Sequence, residues 1–341
     1  MPAHKGPFRH VQPPALRPGD AIGVIAPSGT PLEAYPKRAA RGIAVLQALG
    51  YEVRVLPHSK HGLAGGRQGA KARADDLNLA LRDPEIRLVL SAAGGWCSNA
   101  ILPFVDYAAL ADDPKIVQGH SDMTALLHGL HVKSGVVTIH GPQLIPHFGR
   151  PHGPNPDTLA WWQELVTRPR DHLDVPHPRR REETVVWESR QDRAQRRASH
   201  ANPIGRVVHP ARVAGELLGG NLTTLQVLAG TPYWPNFEGV ILFWEEVRES
   251  YKQVARALTH LREAGALGHL AAMLVGKPVE CTGEPGQSFE QVVLEAVEDL
   301  SFPVVFDVDF GHGEPFIGLP VGTRAGLRRD GTLQLLEPVV R

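Results

Sequence analysis

Three polar side chains stand where an apolar run ends in a turn, and their types are those of an acyl-transfer site. Ser121 lies in Gly119-His120-Ser121-Asp122, directly after Ile116-Val117-Gln118. Glu245 ends the run Val240-Ile241-Leu242-Phe243-Trp244, and His312 lies in Phe310-Gly311-His312-Gly313, after the run from Pro303 to Phe310. A serine hydroxyl is a weak nucleophile until a base takes its proton. An imidazole can be that base, and a carboxylate can orient the ring and stabilise its imidazolium form. Ser121 falls between a short strand and a helix starting near Asp122, so its side chain would project from the turn. The free N–H groups of the new helix favour a developing negative charge there. The spelling is not the G-x-S-x-G of a nucleophile elbow, and a serine at a helix start is also an ordinary N-cap. The local sequence alone leaves both roles open.

Acyl transfer also needs donors for an oxyanion. Gly94-Gly95-Trp96 follows the apolar run Ile86–Leu90 and can offer the backbone N–H groups of Gly95 and Trp96, while the N–H of Asp122 adds a donor beside Ser121. Cys97, next to the glycine pair, supports a rival reading as a thiol hydrolase. Outside enzymes, the rival is a two-domain binder of small ligands that has lost catalysis. His58-Ser59-Lys60-His61 and His128-x-x-His131 come nearest to metal-ligand spacing, but there is no H-E-x-x-H and no cysteine cluster. Neither a metal nor a cofactor is expected.

The elements that must position these residues alternate. Strands are read at Ala21–Ala26, Glu52–Leu56, Ile86–Leu90, 116–118 and Val136–Ile139, with helices at about 37–49, 70–81 and 124–133. Strand–helix alternation predicts a parallel, doubly wound sheet, and ligands bind such sheets at the carboxyl ends of the strands. From 151 to 206 the chain is rich in Pro, Arg, His and Glu, and reads as a connection with an inserted loop. Strands at 240–244, 272–275 and 303–310 and helices at 251–264 and 289–300 follow, with a final edge strand at 333–340. The expected fold is α/β: a Rossmann- or flavodoxin-like domain at 16–150 carrying the nucleophile, and a smaller mixed β/α domain at 207–341 carrying Glu245 and His312. Residues 1–15, with four prolines, read as a flexible arm.

The 341 residues carry 36 Lys+Arg against 36 Asp+Glu, a balance unlike that of a nucleic-acid binder. Two cysteines far apart form no disulfide framework, so reduced thiols and a cytoplasmic protein are expected. The first residues have no apolar core of a signal peptide, and no stretch approaches the roughly 20 apolar residues of a membrane span.

In order along the chain come Leu16-Arg17-Pro18-Gly19-Asp20, Ala26-Pro27-Ser28, Arg73-Ala74-Asp75-Asp76-Leu77, Gly94-Gly95-Trp96-Cys97-Ser98-Asn99, Gly119-His120-Ser121-Asp122-Met123-Thr124, His140-Gly141-Pro142, Leu218-Gly219-Gly220-Asn221-Leu222, Phe243-Trp244-Glu245-Glu246 and Gly311-His312. With these motifs the sequence resembles the serine peptidase family of LD-carboxypeptidases and microcin C immunity proteins, from about Leu16 to Gly322. The resemblance implies a Ser-Glu-His triad at Ser121, Glu245 and His312, a homodimer, and hydrolysis of the amide to the terminal D-alanine of a murein tetrapeptide. The alternative it implies is a peptidyl or aminoacyl nucleotide substrate, for which Trp187 on the inserted loop is a candidate to stack on the base. Departures from the family pattern are His120 for Tyr, Glu246 for Asp and Ala93 for Arg.

Overall fold

The computed structural model describes residues 10–62, 65–183, 197–203 and 205–341. The chain opens with β1 (Ala21–Ile25), α1 (Pro36–Ala48), β2 (Glu52–Val55), α2 (Gly66–Arg82), β3 (Ile86–Ser91), α3 (Tyr107–Asp112), β4 (Ile116–Gly119), α4 (Met123–Ser134) and β5 (Thr138–His140). It continues through α5 (Pro156–Thr167), β6 (Leu173–Asp174), β7 (Arg180–Glu182), β8 (Ser199–Ala201), β9 (Val207–Val208), β10 (Val213–Asn221) and α6 (Leu222–Gln226). It ends with β11 (Ile241–Glu245), α7 (Tyr251–Glu263), β12 (Ala272–Gly276), α8 (Phe289–Ala296), β13 (Val304–Val308), β14 (Leu319–Val321), β15 (Thr323–Leu327) and β16 (Leu333–Leu335).

The first sheet has the order β14-β5-β4-β3-β1-β2. Its strands β1 to β5 run parallel, and both faces are covered. That is why β1 reads as an unbroken apolar run rather than an alternation: Ile22 and Val24 enter one buried cluster, Ala21 and Ile25 the other. The second sheet has the order β6-β16-β15-β10-β11-β12-β13-β9, with β10 to β13 parallel and the rest antiparallel. The architecture is the α/β one that strand–helix alternation predicts.

Long-range pairing departs from the simple reading at several points. β14 leaves the C-terminal part of the chain and pairs antiparallel with β5, Leu319 opposite His140 and Val321 opposite Thr138, so it closes the edge of the first sheet. Pro320 is tolerated on that edge because it has no N–H to leave unpaired. The expected final edge strand is shorter than 333–340: β16 stops at Leu335 and lies inside the sheet, between β15 and β6. The connection at 151–206 contains the helix α5, capped by Asn155, whose side chain accepts from the Asp157 and Thr158 N–H groups. Its Trp162 is buried, donates to the Gln118 side chain at 2.9 Å and packs edge-on against Tyr51 and Phe148. Of the expected N-terminal arm, Val11 bridges Val136, and the Ala15 N–H donates to the Arg341 carbonyl. Among the described residues no helix is long and apolar enough to cross a membrane.

α4 joins the two sheets. Every residue from Met123 to His131 is buried, the signature of a helix enclosed on all sides. Its polar groups reach across: the His128 Nε2–H donates to the Gly219 carbonyl at 2.9 Å, and the Asn221 N–H donates to the Thr124 hydroxyl at 2.9 Å. This approach requires the bare backbone of Gly220, at φ +145°, where a Cβ would fall 2.7 Å from Thr124 Cγ2. Overpacking at a positive φ costs on the order of 2–4 kcal/mol. Gly220→Ala is therefore expected to lower stability by about that amount in urea denaturation, whereas Gly268→Ala, whose Cβ would meet nothing within 4 Å, stays within about 0.5 kcal/mol of wild type.

Candidate active site

β4 ends at Gly119, and Ser121 follows with φ +62°, in the left-handed region that a serine rarely adopts. Such a backbone costs on the order of 1–3 kcal/mol and persists only where its surroundings fix it. Here they do. The Met123 and Thr124 N–H groups donate back to the His120 and Ser121 carbonyls, starting α4. A Cβ at Gly119 would meet Ser91 and Met123, and one at Gly94 would lie 2.9 Å from Ser121 Cβ and 3.1 Å from its Oγ. Two glycines thus make room for a sharp strand-to-helix turn, and Ser121, half-buried, is presented from it.

The Asp122 side chain faces the other way. Its buried carboxylate accepts from the Cys97 N–H at 3.1 Å and the Ser98 N–H at 2.8 Å. It thereby clamps the loop after β3 to the start of α4. Burial pushes its carboxyl up from its ordinary value, against the pull of the Ser28 and Ser98 contacts. On the opposite side the Arg73 guanidinium donates to the Pro27 carbonyl and steadies the turn that Ser28 occupies. Between these two anchors the Gly94–Gly95 backbone passes beside Ser121.

The three N–H groups expected as oxyanion donors differ in their partners. The Trp96 N–H donates to the Ser28 carbonyl at 3.3 Å and is committed there, which removes it from the expected set. The Trp96 indole is instead 86% exposed. Gly95 is pressed against Ser28 so closely that a Cβ would strike the Ser28 carbonyl, and Asp122 follows Ser121 directly. Cys97 is half-buried; burial pushes its thiol up, and the charges that bear on it are Arg73 and Asp122 rather than an imidazole. A thiol without a base at hand is a poor nucleophile at neutral pH.

Glu245 is the last residue of β11 and is fully buried. Its Oε2 lies 2.7 Å from His312 Nδ1. An ionised carboxylate only accepts, so the ring carries its proton on Nδ1 and leaves Nε2 as the basic nitrogen. The Asn221 side-chain NH2 approaches Glu245 Oε1 at 3.3 Å. Burial works against the charge, but His312, His140 and the Asn221 bond outweigh it and hold the Glu245 carboxyl below its usual value. Glycines again make the space: a Cβ at Gly276 would lie 2.7 Å from Glu245 Cβ, and one at Gly311 2.6 Å from its Cγ. His312 sits on the loop between β13 and β14, so its backbone leaves the second sheet and enters the first.

His312 packs against His120, the residue before Ser121, with ring centroids 4.9 Å apart. His120 also meets His140 and His147, and Phe316 packs against all three. Burial, reinforced by His312 and its neighbours, keeps His120 and His147 well below the ordinary imidazole value, and burial takes His140 to about 4. These rings are neutral packing at pH 7; His312 differs from them by its carboxylate. The sequence gives no warning of this cluster, since its members are far apart along the chain. No group of three or more His, Cys, Asp or Glu suited to a metal ion occurs among the described residues. Trp187 lies outside the described residues.

Comparison with known proteins gives the family of the chain. Residues 22–141 match the LD-carboxypeptidase N-terminal domain and residues 214–327 the LD-carboxypeptidase C-terminal domain. The chain is 31% identical to the Microcin C7 self-immunity protein MccF of Escherichia coli over 92% of each chain. It is 30% identical to the Bacillus subtilis protein named "Probable murein peptide carboxypeptidase", over 98% of this chain and 97% of that one. The solved structure of MccF in complex with aspartyl sulfamoyl adenosine superposes with a TM-score of 0.89 at 28% identity, covering 97% of this chain and all of the other. Two matched domains in the same order, together with a likeness that runs the length of the fold, place this chain in the LD-carboxypeptidase family.

Proposed function

We propose that the chain is a serine carboxypeptidase in which Ser121 is the nucleophile, His312 the general base and acid, and Glu245 the group that orients His312. The observation that carries this reading is the 2.7 Å Glu245–His312 contact, in which the imidazole packs against His120, the residue before a serine held at a strained turn. The Ser121 hydroxyl attacks the scissile carbonyl carbon, and its proton passes to His312 Nε2. The carbonyl oxygen, now negative, is held by the Gly95 and Asp122 N–H groups. The intermediate collapses, the C–N bond breaks, and His312 returns the proton to the departing amine. Water then attacks the acyl-Ser121 ester, gives a proton to His312 and releases the acid, and the proton goes back to Ser121. Glu245 stays ionised throughout and stabilises the imidazolium form.

The substrate favoured here is a murein tetrapeptide, cut at the L,D-amide to its terminal D-alanine; the Bacillus subtilis relative is named for a murein peptide. A second reading, a peptidyl or aminoacyl nucleotide, draws on the end-to-end likeness to MccF, whose structure holds aspartyl sulfamoyl adenosine.

Ser121→Ala is expected to lower kcat/KM by about 10⁴-fold or more, and Glu245→Gln by on the order of 10²–10⁴-fold through loss of ring orientation. Cys97→Ala should leave the rate within about threefold, since a side chain outside the reacting set contributes little. Release of D-alanine from the tetrapeptide measures all three, and loss of activity in Cys97→Ala with retention in Ser121→Ala would overturn the assignment. Substrate class is decided by comparing kcat/KM for a murein tetrapeptide and an aspartyl sulfamoyl adenosine with the same preparation. A preference for the tetrapeptide of about 10²-fold or more is expected, corresponding to roughly 3 kcal/mol of transition-state binding; a preference for the nucleotide would establish the second reading.

A further inference from the structure

Glu246 follows Glu245, is 1% exposed, and has no step in the mechanism above. Its carboxyl is nonetheless as thoroughly built in as that of Glu245. Oε1 accepts from the Asn221 NH2 at 2.9 Å and from the Val247 N–H at 3.0 Å, and Oε2 accepts from the Thr223 N–H at 3.0 Å. The same Asn221 NH2 approaches Glu245 Oε1 at 3.3 Å. Its orientation is fixed from behind, because Asn221 Oδ1 accepts from the Thr224 N–H at 3.1 Å and from the Thr223 and Thr224 hydroxyls at 3.0 and 2.8 Å. One amide therefore ties two neighbouring carboxyls together, and one of the two holds His312.

Resting on the peptidase reading, we propose that Glu246 is a positioning residue of the catalytic pair: through the shared amide it seats Glu245 against His312, and by holding or releasing its own proton it sets how readily His312 takes one. Two carboxylates at such proximity resist ionising together. The groups that bear on Glu246 are Glu245 on the same strand, with His312 beyond it; His140 from β5, which faces Glu245; Cys281, whose Sγ lies 3.5 Å from the Glu246 carbonyl; and the neutral Asn221, Thr223 and Val247 donors. Burial first, then the Glu245 charge, pushes the Glu246 carboxyl up to about 7, while Glu245 is held low by His312. Glu245 therefore stays charged, while Glu246 exchanges its proton across the neutral range, so the pair passes there from one negative charge to two. As pH rises Glu246 ionises, and a second negative charge stabilises the imidazolium form of His312. The three groups titrate as a coupled set.

The sign of the test follows. Glu246→Gln removes the second charge, so His312 loses its proton at lower pH, and the acid limb of the kcat/KM profile moves down by about 0.5–1 unit with KM unchanged. Glu246→Asp keeps the charge and should keep the wild-type limb. A merely structural role would lower the rate without moving the limb; a Gln limb that coincides with wild type, or an Asp limb that moves with Gln, overturns the proposal. Two readouts need no substrate and so separate its failure from failure of the peptidase assignment. Carboxyl NMR of ¹³C-glutamate-labelled protein should show a glutamate titrating near neutrality whose signal is missing from Glu246→Gln, which separates it from the buried Glu314, also pushed up by burial; absence of any such titration in wild type overturns the proposal even where the variants do not fold. A raised folded value also means that the unfolded chain ionises first as pH rises, so this group's contribution is intact below about 4.5 and is lost progressively up to about 7. That part of the Tm decline is expected to vanish in Glu246→Gln, and its persistence would count against the proposal.

Discussion

The contact that the rest of the molecule depends on is the close approach of α4 to the Gly219-Gly220 backbone of β10. Ser121 stands two residues before α4, and Asn221 and Glu245 are register partners on β10 and β11. Distance between the helix and the strand therefore sets the distance between the nucleophile and the acid. A side chain at Gly220 would push the helix outward; the bare backbone there lets it in, and the Thr124 and His128 bonds hold it there. In interiors packed at crystal density a shift of an ångström has nowhere to dissipate, and misplacement of that size between reacting groups costs a large factor in rate. The buried, all-round apolar character of α4 is the sequence-level counterpart of this geometry.

Around that contact the site keeps its charges few. His120, His140 and His147 are neutral at pH 7 because burial makes protonation costly, and they pack with Phe316 as aromatic surface. Glu245 is ionised in the same low-dielectric setting because His312 and Asn221 hold it. Removing one partner of such a buried pair leaves an uncompensated charge, typically worth about 3–5 kcal/mol, so the interaction that orients the ring also anchors β11 to the loop after β13.

Much of this was legible in the sequence, and the rest was not for identifiable reasons. Ser121, Glu245 and His312 could be singled out because each follows or ends an apolar run, Ser121 after β4 of the first sheet and the other two at β11 and after β13 of the second, and the carboxyl ends of parallel strands are where such sheets bind ligands. The strands β1, β3, β11 and β12 were readable for the same reason: they are buried on both faces. β10 was not read as a strand, because Val213-Ala214-Gly215-Glu216-Leu217-Leu218-Gly219-Gly220-Asn221 is broken by three glycines, of which Gly220 is the one that α4 requires. β14 is three residues long, contains Pro320 and takes its partner from residues 138–140, a pairing no local pattern encodes. α5 was hidden by the polar composition around it, although Asn155-Pro156 is a helix-start signal. The Trp96 N–H looked available until the Ser28 carbonyl, some seventy positions earlier, was found opposite it.

The path of the chain through β14 has a mechanical consequence. Between β13 in one sheet and β14 in the other, the backbone has only the ten residues from Asp309 to Gly318, and His312 is among them. The two sheets are sewn together at the site proposed for the reaction. A hinge motion that opened a cleft between them would have to stretch this short span and draw the imidazole away from its carboxylate.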